Sequence, residues 1–178
     1  PELRLQYLDS GQSFSLAQLP YGASGAKWSP DGSQIAFSMF VDGEAASFAT
    51  APEKREGAEW NEPVRVIDDL TFRFDGQGYL KEGSTQTFVL SASGVELSDK
   101  SMRALTSRDG PDYAPVVSPN GRTIAFRGHD DNVLAYEQDN LYLMDADGSN
   151  VREVAADFDR SFGQVVWAPD GDSLYALI

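Results

Sequence analysis

A twelve-residue pattern that occurs three times is the feature that most constrains the fold of this chain. The copies align without gaps and read AKWSPDGSQIAF, PVVSPNGRTIAF and VVWAPDGDSLYA, beginning at Ala26, Pro115 and Val165. Each has an apolar segment, then Pro-Asp-Gly or Pro-Asn-Gly, then a segment in which apolar residues alternate with smaller ones. The pattern therefore predicts a repeated β-hairpin.

The centre of each copy has the residues that a tight turn requires. Proline presets φ at the first bend, and the Asp or Asn that follows can hydrogen-bond to the local backbone. Gly32, Gly121 and Gly171 then supply the positive φ that closes the hairpin. We therefore expect the same turn geometry in all three copies.

A second hairpin follows in each repeat. Its clearest copy is NLYLMDADGSNVREVA at residues 140–155, and related segments occupy residues 87–106 and 5–19. Two hairpins make four antiparallel strands, which is one blade of a β-propeller. The expected fold is therefore all-β, a partial β-propeller of about three four-stranded antiparallel blades.

We predict a single partial propeller over residues 1–178. Its parts are the end of a preceding blade, a blade with an insertion, a further blade and a truncated blade, at residues 1–20, 21–111, 112–160 and 161–178. The insertion is placed at about 41–86, because this stretch has no Pro-Asp-Gly turn although the first two turns lie almost two blade repeats apart. Within it, APEKREGAEWNEP predicts a solvated loop, and VIDDLTFRFDGQGYL predicts an added strand and turn at the rim.

The charge balance limits the classes of partner. The chain has 14 Lys and Arg against 28 Asp and Glu, a formal net charge of −14. Nucleic-acid binding needs clustered cations, so we expect no nucleic-acid partner, whereas an acidic surface would attract cationic peptide ends. No apolar run approaches the roughly 18 residues that span a bilayer, so no membrane partner is expected. There is no cysteine, which excludes disulfides and thiolate metal sites.

Several motifs resemble those of a known family. The Pro-Asp-Gly hairpins and LYLMDADGSN resemble the propeller repeats shared by TolB-type proteins and prolyl oligopeptidase-type serine peptidases. WNEP at 60–63, RVID at 65–68 and FRFDGQGY at 72–79 are similar to the first blades of acylaminoacyl-peptidase-like and dipeptidyl aminopeptidase-like members. The run RDGPD at 108–112 continues the likeness, which covers residues from about 26 to 175.

The resemblance implies an accessory domain. In such peptidases a propeller caps an α/β-hydrolase domain that holds a Ser-Asp-His triad, and it restricts access to short peptides. This chain has no G-x-S-x-G nucleophile motif, and the nearest string, GASG at 22–25, has the wrong spacing. We therefore expect the parent protein to be a serine peptidase, and this chain to be a non-catalytic segment that gates or orients short peptide substrates for its hydrolase domain. The alternative is a TolB-like protein-binding propeller without an enzymatic role.

Residues of types common in functional sites are better explained by the propeller. His129 is the only histidine, and with no nucleophile to pair with it we interpret it as a rim-loop residue. The string DADGSN at 145–150 begins like a calcium loop, but position 12 is Ala156 and the flanks are strand-like, so it predicts a hairpin turn. Gly76-Gln77-Gly78 does not lie between a strand and a helix, so it predicts no phosphate site.

Two further sets of residues leave a choice between roles. Glu53, Glu56, Glu59 and Glu62 recur every third residue, and they could hold a substrate's amino terminus, although a solvated loop is the favoured interpretation. Trp28 and Trp167 occupy equivalent repeat positions, which predicts packing in the propeller core rather than ligand stacking. We predict no catalytic, cofactor-binding or metal-binding residues and no cofactor.

The ends of the sequence carry two expectations. The chain begins part-way through one blade and stops in the second strand of another, so we expect a longer parent protein and association of copies through the open blade edges. The expected location is cytoplasmic, or periplasmic if a signal peptide precedes the sequence.

Overall fold

The computed structural model of the chain describes residues 1–44, 49, 52–61, 64–92, 102–130 and 136–178. Throughout these residues the regular structure is β-strand, and none contains a helix long and apolar enough to cross a membrane. The strands are β1 (Glu2–Gln6), β2 (Ser13–Gln18), β3 (Ser24–Trp28), β4 (Gln34–Asp42), β5 (Arg73–Phe74), β6 (Gly78–Tyr79), β7 (Gly83–Ser91), β8 (Met102–Ala104), β9 (Asp112–Val117), β10 (Thr123–Gly128), β11 (Asn140–Asp145), β12 (Arg152–Val154), β13 (Val165–Trp167) and β14 (Leu174–Ala176).

The strands form antiparallel sheets that follow the repeat. Strands β3-β4-β7-β8 form one four-stranded sheet and β9-β10-β11-β12 form another. The pairs β1-β2 and β13-β14 form two-stranded sheets before and after them. The predicted fold class, all-β with about three blades of a propeller, is confirmed by two complete four-stranded sheets flanked by two pairs. The boundaries between blades stay a prediction.

The sheets stack face to face, and apolar clusters lie between them. The first cluster joins β2 to β4 and β7 through Leu16, Phe37 and Leu90, which are at most 2% exposed. The second joins β7 to β10 and β11, and the third joins β10 and β11 to β13. Stacked aromatic pairs lie in the first two clusters, Phe37 with Phe88 and Phe126 with Tyr142. Because burial of apolar surface is the main force that holds sheets together, these clusters fix the order of the blades.

The three repeated turns have one geometry, as predicted. The glycine φ angles are +69°, +71° and +79° at Gly32, Gly121 and Gly171. In each turn the side-chain oxygen of the Asp or Asn accepts the backbone N–H two residues later: Ser33 to Asp31 (3.1 Å), Arg122 to Asn120 (3.0 Å) and Asp172 to Asp170 (3.0 Å). The turn chemistry therefore depends on local sequence alone.

The long connection between β4 and β7 positions the insertion. Strands β4 and β7 pair in register from Gln34 with Ser91 to Asp42 with Gly83. This pairing extends a few residues into the segment that the sequence assigned to the insertion. Within the connection, β5 and β6 form a short hairpin, in which Arg73 pairs with Tyr79. The expected added strand and turn at the rim is thus a two-stranded hairpin.

The prediction for Trp28 was wrong. Its repeat equivalent Trp167 lies in the third cluster and donates its indole N–H to the carbonyl of Val116 at 3.0 Å. Trp28 is instead 48% exposed. The reason is geometric: Trp167 meets strand β9 of the preceding sheet, whereas the strands that precede Trp28 are β1 and β2, which pack on β4 and β7. Equal positions in a repeat thus have unequal environments.

Candidate binding site at the propeller rim

The loops that connect the strands of the two four-stranded sheets lie at two opposite ends of the sheets. The tight turns between β3 and β4 and between β9 and β10 lie at one end. Because paired strands are antiparallel, the β4–β7, β8–β9 and β10–β11 connections lie at the other end, which we call the rim. The insertion hairpin, His129 and residues 105–111 all belong to the rim connections. Sequence-distant residues therefore meet there.

A cavity of about 560 Å³ lies at the rim between the insertion and the ends of the sheets. The insertion contributes residues 65–72, Phe74 and 79–82, and the sheet ends contribute Phe40, 83–85, Gly110, Pro111, His129 and Glu137. Its volume is within the range of small-ligand sites, about 300–1,000 Å³. This cavity is the candidate functional site.

One side of the cavity is apolar. Phe72 and Tyr79 pack with ring centroids 6.2 Å apart across the hairpin, and Phe74 lies beside them in the lining. The three rings are 41–53% exposed, and Ile67 and Leu70 in the same lining are 48% and 64% exposed. Large apolar side chains gathered in one exposed patch mark a site for a ligand or a partner.

The cations of the cavity are occupied by groups of the protein itself. The Arg65 guanidinium lies 4.3 Å from the centre of the Tyr79 ring, a cation–π contact. Lys81 donates to the Tyr21 hydroxyl at 3.0 Å, and this hydrogen bond raises the pKa of Lys81. The ring nitrogens of His129 each lie 3.1 Å from a carboxylate, Nδ1 from Asp139 and Nε2 from Glu137.

The carboxylates of the insertion are not occupied in this way. Asp68, Asp69 and Glu82 line the cavity, and within the described ranges none of their side chains has an ion pair or hydrogen bond. The lining has four carboxylates, these three and Glu137, against Arg65, Lys81 and His129. The cavity is therefore net negative whether or not His129 is protonated.

Buried polar groups hold the floor of the rim in place. Gln86, which is 5% exposed, has its Nε2 at 3.1 Å from the carbonyls of both Arg108 and Gly110, and its Oε1 accepts from the Thr106 hydroxyl at 2.7 Å. One side chain of β7 thus anchors the β8–β9 connection, which contributes Gly110 and Pro111 to the cavity. Buried, satisfied networks of this kind make a loop rigid.

Asp112 is the strongly perturbed acid of this region. Its side chain is fully buried, and Oδ1 accepts from Arg108 Nη1 at 3.1 Å. Oδ2 is buried and has no hydrogen-bond partner in the described part of the chain. Burial raises the pKa of Asp112 to about 6, and the Arg108 charge offsets only part of this effect. Arg108 also pairs with Asp130 at 2.7 Å and lies 3.8 Å over the Tyr142 ring.

A second, smaller cavity lies between the first strands of three successive sheets, β3, β9 and β13. It has a volume of about 270 Å³ and is lined by residues of β3 and β9, by residues 164–166 at the start of β13 and by Arg127 of β10. Its cations are Lys27 and Arg127. The backbone bends at equivalent positions in β3 and β9, where Gly25 has a φ of +63° and Ala114 has a φ of +54°. The lining of this cavity shares no residue with the rim cavity and includes none of the insertion hairpin.

The residues singled out in the sequence lie in separate places. His129 lies at the rim as predicted, and residues 145–150 form the β11–β12 turn, in which Asn150 donates to Asp145 Oδ2 at 2.6 Å. Gly76 and Gly78 have φ of +79° and +83° in the β5–β6 turn. Glu53, Glu56 and Glu59 are exposed and lie outside the lining of the rim cavity, whereas Glu62 lies outside the described residues.

The sequence did not reveal the network at the floor of the rim. Gln86, Arg108 and Asp112 carry no spacing typical of a site, and RDGPD was noted only for its family resemblance. An Asp at the start of an apolar strand is a weak signal of burial, and nothing local shows that Thr87 donates to its carbonyl or that Arg108 pairs with its side chain.

Comparisons with known proteins find a peptidase by sequence and TolB-type proteins by structure. No protein-family model matches the chain. In sequence it is 31% identical over 127 residues to the uncharacterized peptidase YuxL of Bacillus subtilis (strain 168), which covers 70% of this chain and 18% of YuxL. The chain thus spans less than a fifth of the length of that curated relative.

In structure the chain superposes on TolB-type proteins. A TolB-type protein of Agrobacterium tumefaciens matches with a TM-score of 0.56 and 20% identity, over 98% of this chain and 48% of the other. TolB of Acinetobacter baumannii matches with a TM-score of 0.54 and 17% identity, over 97% of this chain and 31% of the other. These matches show the fold, and the predicted resemblance is confirmed: the chain is a β-propeller segment, similar in sequence to a peptidase and in fold to TolB.

Proposed function

We propose that the chain is the propeller segment of a serine peptidase, which admits and orients short peptides for an α/β-hydrolase domain of the parent protein. The observation that carries the proposal is the 31% identity to a peptidase over 70% of the chain. The rim cavity supports it, because a volume of about 560 Å³ with an exposed aromatic wall suits a short peptide better than a compact metabolite.

The test uses the full-length parent protein and this chain side by side. A fluorophosphonate probe, which acylates activated serines, is expected to label the parent but not the chain. A chromogenic peptide substrate is expected to be cleaved by the parent alone. A parent that is neither labelled nor active on blocked or free peptides would contradict the proposal.

The second candidate is a TolB-like protein-binding propeller. The structural matches to TolB-type proteins, which cover 97% and 98% of the chain, favour it. It predicts a stable complex with a protein partner and a parent without an activated serine, so the same probe experiment distinguishes the two candidates. Association of copies through open blade edges and a cytoplasmic location stay predictions in either case.

A further inference from the structure

We propose that the rim cavity selects peptides in which a basic side chain, Arg or Lys, lies next to an aromatic or large aliphatic one. This inference rests on the proposed function, because it names the substrate class of the same site. It assigns the apolar wall of Phe72, Phe74 and Tyr79 to the apolar side chain, and Asp68 and Asp69 to the basic one.

Charge complementarity accounts for the preference for a basic side chain. Arg65, Lys81 and His129 face partners within the protein, whereas Asp68 and Asp69 have no ion pair among the described residues. The two carboxylates give this side of the cavity a negative potential, which a ligand cation would neutralise. A guanidinium can also donate two parallel hydrogen bonds to a carboxylate. An anionic ligand would instead meet a lining that is net negative.

The apolar wall accounts for the preference for an aromatic or large aliphatic side chain. Phe74 and Tyr79 lie on the paired strands β5 and β6, and the Phe72 carbonyl accepts from Leu80 N–H beside them, so the hairpin gathers the three rings into one wall. They remain 41–53% exposed, which leaves aromatic surface for a ligand side chain to cover. Asp68 and Asp69 precede this hairpin in the same lining, so one short peptide can reach both features.

The long-range field favours the same ligand. The chain has a formal net charge of −14, which raises the local concentration of cationic peptides and repels acidic ones. Because this attraction is screened within about 8 Å at physiological ionic strength, selectivity that persists in salt must come from contacts in the cavity. Ionic strength therefore separates the general field from the site.

The experiment is calorimetric titration of the chain with blocked tetrapeptides, which have no charged amino terminus. The first is acetyl-Gly-Phe-Arg-Gly-amide, the second replaces Arg by the neutral isostere citrulline, and the third replaces Phe by Ala. We expect the Arg peptide to bind about tenfold tighter than either of the others at 0.15 M salt, since each loses one contact of the pair.

The variant Asp68→Asn/Asp69→Asn tests the assignment of the carboxylates. It is expected to bring the ratio of Arg to citrulline affinity below about twofold, while the ratio of Phe to Ala affinity is unchanged. The matched control is Glu153→Gln/Asp172→Asn, which changes the net charge equally at exposed residues outside the cavity. It is expected to keep the full ratio.

Several results would overturn the inference. Equal affinity for the Arg and citrulline peptides, an unchanged ratio in the Asp68→Asn/Asp69→Asn variant, or no binding of any peptide would each do so. Binding of the Arg peptide only when its acetyl group is left out would also overturn it, because this would show recognition of the free amino terminus instead. The proposed function is decided separately, by probe labelling of the parent, so its failure and that of this inference are distinguishable.

Discussion

Asp112 is expected to make the chain less stable as the pH rises from 4 to 7. The carboxyl group is fully buried, its Oδ2 has no hydrogen-bond partner in the described residues, and burial raises its pKa to about 6. In the unfolded chain the same group has the ordinary pKa of 3.8. The folded state therefore binds the proton more tightly than the unfolded state does.

The sign and size of the effect follow from this difference. Below pH 3.8 the group is protonated in both states, and the stabilisation it confers is fully present. This stabilisation is lost as the pH rises through about 6, where the folded state must hold a buried carboxylate. A shift of about two pKa units, at about 1.4 kcal/mol per unit, corresponds to about 3 kcal/mol in the free energy of unfolding.

The assay compares the chain with Asp112→Asn, which has a side chain of similar size and no titrating proton. Urea unfolding at pH 4, 5, 6 and 7 measures the free energy of unfolding of both proteins. Because other carboxylates titrate equally in both, the difference between them isolates Asp112. The advantage of the unsubstituted chain over the variant is expected to fall by about 2 kcal/mol from pH 4 to pH 7, because a part of the full effect is already lost at pH 4.

A control of opposite sign is available in the first turn. Hydrogen bonds from Ser29 and Ser33 lower the pKa of Asp31 to about 2, so its contribution is present above pH 3.8 and is lost as the pH falls toward 2. The advantage of the unsubstituted chain over Asp31→Asn should therefore fall when the urea unfolding is extended from pH 4 down to about pH 2. A difference between the chain and Asp112→Asn that stays flat from pH 4 to 7 would refute the reasoning. It would mean that Arg108 compensates the burial of an ionised Asp112 completely.

Four backbone and turn substitutions have calculable outcomes in the same unfolding assay. Ala168→Ser should raise the free energy of unfolding by about 1 kcal/mol, because the other two turns have a serine here whose hydroxyl bonds the turn; an unchanged value would contradict this. Gly25→Ala, at a φ of +63°, should lower it by about 1 kcal/mol, whereas Ala114→Gly at the equivalent bend should not lower it. Gly83→Ala should lower the free energy of unfolding by about 2 kcal/mol or more, since the φ of Gly83 is +126° and a Cβ would overlap the backbone of β4. Calorimetric titration of this variant should also show weaker peptide binding at the rim.

The resemblance and the repeat could be recognised from sequence because they depend on short-range chemistry. Proline, Asp or Asn, and glycine decide a turn within four residues, so the positive φ angles at Gly32, Gly121 and Gly171 followed from the residues alone. Alternation of apolar residues decided the strands, and the pairing of two hairpins decided the four-stranded sheets. The insertion hairpin was expected for the same reason.

What only the tertiary structure decided involves residues that are far apart in the chain. Trp28 and Trp167 occupy equivalent positions in the repeat, yet only Trp167 is covered, because its cover comes from another sheet. The rim cavity joins an insertion to His129 and Glu137, which follow it by more than 40 residues. Its unpaired carboxylates stand out only when the partners of Arg65, Lys81 and His129 are known. Asp112 is likewise held by the distant strand β7, where the Thr87 hydroxyl donates to its carbonyl. Sequence determined the blades because turns and strands are local, whereas the site depends on packing between them, which no local pattern encodes.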